Sequence, residues 1–576
     1  MRIGVSLPRL DDSVITPVMF GGSESGDQTE VFQRMAEDTS KTWNIPADTT
    51  WTIDGTVTVS RDIRITGLGT IRGAGQILIE GGQTRIADLA SDVTLRSNAL
   101  VFDSVEGIAP YDVLILYNPT DYSWSGHRDS YREGEMVRVH SISGNTVTIY
   151  GETASAYAAA DIEVYRVDGV AVHIDGIKIA PDNTETIPIL VRHGVDVSIE
   201  NVRGVGGLNT IVRLDRCYNF AVRSTALTNS SPIEGNEYAL GISNSQKGVI
   251  DASFCSATRH ALHIGGGTGA GCVPTRDVRI SNCILTNLAS SGVGSSDMHG
   301  NTDNITYHNC ILSCANMAGR NASYIDCTIY GRKTTDGYAI GGAEIVGGLF
   351  TIRGCKIISD GDGSANGYLY LAAIMGTGGR EGLREDLNIE VDDLVLVAPN
   401  AINTSKIVHV INNSTTRKVN VRVGRVRVIK ASAMLCVLYA VDEENANFLS
   451  DAMIVDGPID APFGTYLMYP HSSIASAPKR MMTQRVRETV TTVNGQGQVL
   501  GTSQSFRYPY PAIPDALSVV HTSVDGAAKS SWGGRQLAPF CVARTATSGR
   551  LAVSSISNWT SNEDVRLAGT FGIQEI

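Results

Sequence analysis

Between residues 213 and 303 the chain carries an unusual density of reactive side chains. Glu234, Glu237 and Tyr238 stand together, then Arg259, His260 and His263, then Asp297, His299 and Asp303, with Arg213 and Asp215 ahead of them. Two chemistries suit these types. Two carboxylates facing across a sugar ring hydrolyse a glycosidic bond, one protonating the leaving oxygen while the other attacks or activates water. Glu234, Glu237, Asp297 and Asp303 supply the candidates. β-Elimination instead needs a base near a uronate C5, a cation against its carboxylate and an acid for the departing oxygen. His260 or His299, Arg259 or Arg213, and Tyr238 would serve. We take Glu237, His260, Asp297, His299, Tyr238 and Glu234 as candidate catalytic residues. Arg259, His263, Asp303, Arg213 and Asp215 are candidate binding residues. No metal-ligand motif of defined spacing appears, so neither a metal nor another cofactor is required.

Each residue also has a bland reading. Glu234-Gly-Asn-Glu237-Tyr and the Gly-flanked Asp297-Met-His299 are ordinary polar loops by default. His260 and His263 sit at a strand entry, where a contact with the next coil is structural. Arg213 and Asp215 suit a surface ion pair. Tyr122, Trp124 and Tyr131, in a polar loop far upstream, suit stacking on sugar faces or simple packing.

What must position these residues is a repeat. From about 171 to 358 a short unit recurs: apolar, any, apolar, any, small or polar, apolar. It reads Val172-His-Ile-Asp-Gly-Ile177, Val197-Ser-Ile-Glu-Asn-Val202, Phe220-Ala-Val-Arg-Ser-Thr225, Val249-Ile-Asp-Ala-Ser-Phe254 and Val278-Arg-Ile-Ser-Asn-Cys283, and three later copies end at Cys310, Cys327 and Cys355. The fifth positions are spaced by 25, 23, 29, 29, 27, 17 and 28 residues. Such periodicity marks a repeat architecture, and alternation inside the unit marks strands. A β-sandwich would space its strands by roughly 8–12 residues. One short strand cannot bury its apolar face alone, whereas stacked coils close a continuous core. Cys283, Cys310, Cys327 and Cys355 are therefore expected to form a column with Ile177, Val202, Thr225 and Phe254. Asn201, Asn282, Asn309 and Asp326 would form a polar ladder at a bend that tolerates unusual backbone angles. Coils about 4.8 Å apart bring together loops that are 25–40 residues apart in sequence. The longest coils, Ser224 to Asn309, hold all the candidate residues except Arg213 and Asp215.

Composition fits. The chain has 60 Gly, 42% hydrophobic and 18% charged residues, and a net charge of −12, which counts against nucleic-acid binding. It has no apolar run long enough to span a membrane and no signal-peptide core after Met1, so synthesis in a cytosol is expected. The ten cysteines contain no CxxC and are read as reduced. Residues 1–26 read as a flexible leader. Residues 27–81 hold a short amphipathic helix (Asp27 to Thr39, Val31, Phe32 and Met35 apolar), which caps the core, and the first coils. Residues 82–169 break the period and read as a small inserted β-domain. The helix of coils runs over 170–460, a linker over 461–487 and a compact β-sandwich over 488–576.

The fold class read from these features is all-β, a parallel β-helix. With Asp27-Gln-Thr-Glu-Val-Phe, Ile45-Pro-Ala, Ile65-Thr-Gly-Leu-Gly-Thr, the coil repeat and the C-terminal β-domain, the chain resembles bacteriophage tailspike proteins. It looks like the short-N-terminus capsule depolymerases of Klebsiella-type podophages, with a pectate-lyase-like β-helix, which implies a right-handed parallel β-helix. The resemblance implies a homotrimer on the virion tail that binds and cleaves bacterial capsular polysaccharide. It also implies docking of the N-terminus onto another tail protein and a C-terminal domain for trimerisation or glycan binding. Hydrolysis by acidic residues is the expected reaction. The alternatives are β-elimination on a uronate-containing capsule and a receptor-binding fibre without activity; a bacterial lyase is disfavoured by the missing signal peptide.

Overall fold

A computed structural model describes residues 14–182, 185–229, 237–288, 294–332, 334–441, 449–462 and 465–470, with six further strands between 482 and 573. The chain forms two compact units: Met1–Tyr330 with Gly342–Gly347 and Met375–Arg384, and Gly331–Gly341 with Gly348–Ile374 and Glu385–Ile576.

In the first unit the coils form a right-handed parallel β-helix with three sheets. The first sheet stacks Thr42–Ile45, Ile63–Gly67, Val170–Asp175, Gly194–Glu200, Tyr218–Arg223, Gln246–Asp251, Thr275–Ser281, Thr302–His308 and Gly319–Ile325. The second runs from Thr50–Thr52 to Thr328–Tyr330. The third stacks Val212–Asp215, Tyr238–Ser243, His260–Gly265, Ser296–Met298 and Ala315–Asn316 above three earlier strands. Inward residues such as Ile174, Ile199, Val222, Ile250, Ile280 and Tyr307 are fully or almost fully buried. The leading helix, Thr29–Glu37, buries Phe32 and Met35 completely, and the Phe32 ring meets Trp43 and Trp51 edge-on. It covers the otherwise open end of the core. Among the described residues no helix is long and apolar enough to cross a membrane.

The bend after each first-sheet strand is left-handed, with φ of 55° at Asn201, 56° at Asn282, 52° at Asn309 and 54° at Asp326. The side chains also form a ladder: Asn282 donates to Asp251 and Asn309 to Asn282, each at 2.8 Å. One coil departs from the sequence reading. Gly248, not Val249, pairs with Phe220, and the left-handed bend falls on Ala252. Ser253 therefore occupies the buried column with Thr225 and Cys283, while Phe254 points outward and is 39% exposed. The cause is packing. A Cβ on Gly248 would lie 2.0 Å from the Phe220 ring, so the ring takes the place of the missing side chain. A one-residue slip then exchanges the two faces.

Between the third-sheet strand Gln76–Glu80 and the first-sheet strand Val170–Asp175, the chain builds a six-stranded antiparallel sheet from Gly82–Arg85 to Glu163–Asp168. Its own core includes Leu100, Phe102, Leu114, Val139 and Val164. A second cluster joins Ile115, Tyr117 and Met136 of this sheet to Tyr218 and Val273 of the coils. Arg138 pairs with Asp196, and the Met136 amide donates to Gln246, so the inserted domain is seated firmly.

The second unit repeats the three faces. Its third face carries Leu369–Ala373, Lys406–Asn412, Cys436–Val441 and Tyr466–Pro470. The coils thus continue to Pro470, past the boundary expected at 460, because Tyr466–Pro470 pairs with Cys436–Val441. Two three-stranded antiparallel sheets follow, the earliest strand being Met482–Val490, so strands occupy both ends of the segment 461–487 read as a linker.

Candidate functional site

Register decides which side chains meet. On the third sheet Arg213, Gly241, His263 and Asp297 pair in sequence across consecutive coils. Tyr238 pairs with His260 in a neighbouring row. The strand alternates, so Arg213, His263 and Asp297 project from the outer face while Leu214, Ile242, Ile264 and Met298 enter the core; Tyr238 and His260 are the first residues of their strands.

Asp297 is the centre. Its Oδ2 lies 3.0 Å from His263 Nδ1, 3.0 Å from His299 Nε2 and 3.6 Å from His260 Nε2. Asn316 donates to Oδ1 at 2.9 Å. Burial disfavours the charge on this carboxylate, but the hydrogen bonds from His263 and His299 outweigh it and hold the acid well below its usual range. An ionised carboxylate only accepts, so His263 Nδ1 and His299 Nε2, both within hydrogen-bond reach of it, carry protons. Burial lowers the pKa of His260 and His263. For His299 burial works the same way, yet the bond to Asp297 and the charges of Asp297 and Glu344 prevail and raise it. His260 Nδ1 donates to the Gly294 carbonyl at 2.6 Å.

Tyr238 lies flat against both His263 and His260, with ring centroids 4.9 and 5.5 Å apart, and the Arg259 guanidinium lies over the Tyr238 ring, 5.8 Å from its centre. Burial raises the Tyr238 hydroxyl pKa. Arg213 donates to the Ser243 hydroxyl at 3.2 Å, one coil away.

Of the residues expected from sequence, Tyr238, Arg259, His260, His263, Asp297 and His299 come together, with Arg213 beside them. Glu237 precedes the Tyr238 strand but is fully buried, and its carbonyl accepts the His260 amide. Asp215 is held by Arg192, Arg216 and Asn244 as part of a structural network. Asp303 does not join the site. It is buried on the first sheet, bonded by Arg276, Arg320 and Asn321, because its coil passes beneath the inserted domain. Glu234 lies outside the described residues.

Two further partners join the cluster: Tyr131, read from sequence as an aromatic for sugar stacking or packing, and Glu344, which the sequence reading missed. The inserted loop brings Tyr131 to 3.5 Å from His299 Nδ1, and its hydroxyl donates to Glu344 Oε2 at 2.5 Å. Trp124 fixes this loop by donating to the Gly300 carbonyl at 2.7 Å, and Arg128 pairs with Glu344. Burial raises the Tyr131 pKa, and the neighbouring Glu344 raises it further. Glu344 itself is held down, against burial, by Tyr131 and Arg128. Tyr131 had stood out only as an aromatic residue in a polar loop; nothing in the local sequence marks Glu344. His263, Asp297 and His299 also offer three donor atoms within 4.8 Å of one another, the one group among the described residues able to hold a metal ion.

Residues 205–465 match the family described as Gp49, pectin lyase-like, and residues 78–167 match the tailspike protein-like Ig-like domain. The chain resembles phage tailspikes along its length. The solved tailspike gp61 of Pseudomonas phage phi297 shares 28% identity over 99% of this chain and 100% of its own, with a TM-score of 0.82. Tailspike gp49 of Pseudomonas phage LKA1 shares 25% over 98% and 100%, with a TM-score of 0.79. Gp54 tailspike of Acinetobacter baumannii bacteriophage AP22, solved with a capsular saccharide, has the same fold at 23% identity over 98% and 96%, with a TM-score of 0.81. No curated protein sequence matches. The tailspike-like β-helix and its Ig-like insertion thus both contribute side chains to the cluster around Asp297.

Proposed function

We propose that this tailspike-like protein sits on a phage tail, binds bacterial capsular polysaccharide and cleaves it at the Asp297 cluster. Residues 170–460 form the catalytic domain in this reading. Residues 1–26 dock onto another tail protein, residues 488–576 serve trimerisation or glycan binding, and the chain is made in the host cytoplasm and assembles as a homotrimer. The AP22 relative with its capsular saccharide supports the substrate class.

The reaction best supported is β-elimination. The observation that carries it is that Asp297 is buried while His263 and His299 around it are partly exposed, so imidazoles, not a carboxylate pair, meet solvent at this cluster. His263, neutral and oriented through Nδ1–H toward Asp297, presents Nε2 as the base for the proton beside a uronate carboxylate. Arg213 and Arg259 neutralise that carboxylate. The more basic His299 protonates the departing oxygen. Asp297 fixes both rings, as a buried carboxylate orients an imidazole in other proton-transfer sites. A second reading, hydrolysis, is favoured by Glu344, a partly exposed carboxylate reached from Asp297 through His299 and Tyr131.

Incubation with a panel of capsular polysaccharides, following reducing ends and the ultraviolet absorbance of an unsaturated uronate, tests this. Both signals rising together is the expected result. Reducing ends without absorbance would establish hydrolysis, and binding without products would leave a receptor-binding fibre.

A further inference from the structure

The geometry points to a divalent transition-metal site of the zinc class in this cluster, whose occupancy blocks cleavage. Only the second half of that statement rests on the function proposed above. His263 Nδ1, Asp297 Oδ2 and His299 Nε2 lie within 4.8 Å of one another. Two imidazole nitrogens and one carboxylate oxygen are a donor set that zinc accepts while keeping a fourth position open. Calcium and magnesium prefer oxygen shells, so the two nitrogens select against them. Donors around a tetrahedral zinc at about 2.0–2.1 Å stand roughly 3.4 Å apart. Asp297 Oδ2 is 3.0 Å from each nitrogen and the two nitrogens lie within 4.8 Å of each other, so seating the ion requires the oxygen contacts to open by a few tenths of an ångström and the two rings to swing toward one another. His263 and His299 are partly exposed and can rotate that far.

The surroundings fit a ligand cage. Asn316 holds the other oxygen of Asp297, aiming Oδ2 at the histidines. The Tyr131 hydroxyl lies 3.5 Å from the far nitrogen of His299. Metal-binding groups commonly have such outer partners, which fix ring and carboxylate orientation. The spacing 263, 297, 299 matches no linear motif, because adjacent coils supply the proximity. An ion on His263 Nδ1 forces that ring's proton onto Nε2, the atom assigned above as base. The ring then has no lone pair to accept a proton from substrate, and cleavage stops.

The test uses the full chain, stripped with a chelator and titrated calorimetrically with zinc, alongside polysaccharide cleavage. One zinc per chain is expected, with affinity falling at least about tenfold in both Asp297→Asn and His299→Gln. Thermal melting of both variants checks that they remain folded, and His263→Gln replaces either that does not. Wild-type cleavage should fall with the same zinc midpoint and return on chelation. Failure to bind, or binding unchanged in folded variants, overturns the site. Zinc bound here with cleavage undiminished overturns the switch. If no polysaccharide is cleaved, the calorimetric arm still decides the site.

Discussion

His263 and Asp297 face each other on adjacent strands of the third sheet, and Nδ1 of the first lies 3.0 Å from Oδ2 of the second. Stacking in register makes this contact across 34 residues of chain. Asp297→Asn preserves the shape but removes the acceptor that sets both imidazole tautomers. Cleavage should fall by about a hundredfold or more in kcat, the range expected when positioned acid–base groups are lost. Binding of the same polysaccharide, measured by calorimetry, should change little. Unaltered kcat would remove Asp297 from the site.

Glu344 acts on His299 from the other side. Its negative charge helps raise the His299 pKa, and Tyr131 bridges the two. If protonated His299 is the acid, activity falls as pH rises through its pKa. Glu344→Gln weakens the support for the cation, so that pKa drops and the alkaline limb of the kcat profile moves to lower pH. Tyr131→Phe should keep KM and reduce kcat by about tenfold. A rate profile unmoved in Glu344→Gln would detach the inserted loop from the chemistry.

The coil repeat was legible because alternation and spacing are properties of the backbone; every strand must bury one face. The cluster was partly legible for the same reason. Histidines and an aspartate at equivalent corners of neighbouring coils had to become neighbours. Asp303 misled because a polar residue in a long coil looks the same whether it faces solvent or Arg276 and Arg320. Glu344 stayed hidden because its role depends on Tyr131, which arrives from an insertion about 210 residues upstream in the chain. The misassigned Phe254 shows the limit of a pattern alone, since the Phe220 ring decided the register.

The burial of Asp303 makes its own prediction. Arg276 and Arg320 both converge on its Oδ2, at 2.7 and 2.6 Å. Asp303→Ala leaves two buried guanidinium groups without that partner, and removing one member of such a cluster costs about 3–5 kcal/mol. The variant should melt earlier in urea or heat. Below its transition, turnover per folded chain should stay normal. Selective loss of glycan affinity in a stable variant would restore Asp303 as a binding residue.

His193 sets a pH response in stability. Burial first, and then Arg216, push its pKa from 6.5 down to about 4. The unfolded chain therefore takes up the proton more readily than the folded one, and stability rises with pH across that interval. Read downward, stabilisation is lost as pH falls from about 6.5 toward 4. His193 has φ of 53°, a conformation that asparagine adopts readily. His193→Asn should flatten the melting temperature against pH in this window while leaving the neutral value within a few degrees. A slope equal to wild type would assign the response to other buried histidines.

Gly248 and Phe220 test the packing logic of the coils directly. The Phe220 ring fills the volume beside Gly248, and an added Cβ would fall 2.0 Å from it. Phe220 is buried, so neither partner can move aside cheaply. Gly248→Ala should therefore destabilise by about 1–3 kcal/mol, the usual cost of overpacking a filled core. Phe220→Leu alone should also destabilise, through lost contact area. Combined with Gly248→Ala it should recover part of the loss, because the smaller side chain makes room for the new methyl. Additive losses in the double variant would show that the ring does not dictate glycine at this position.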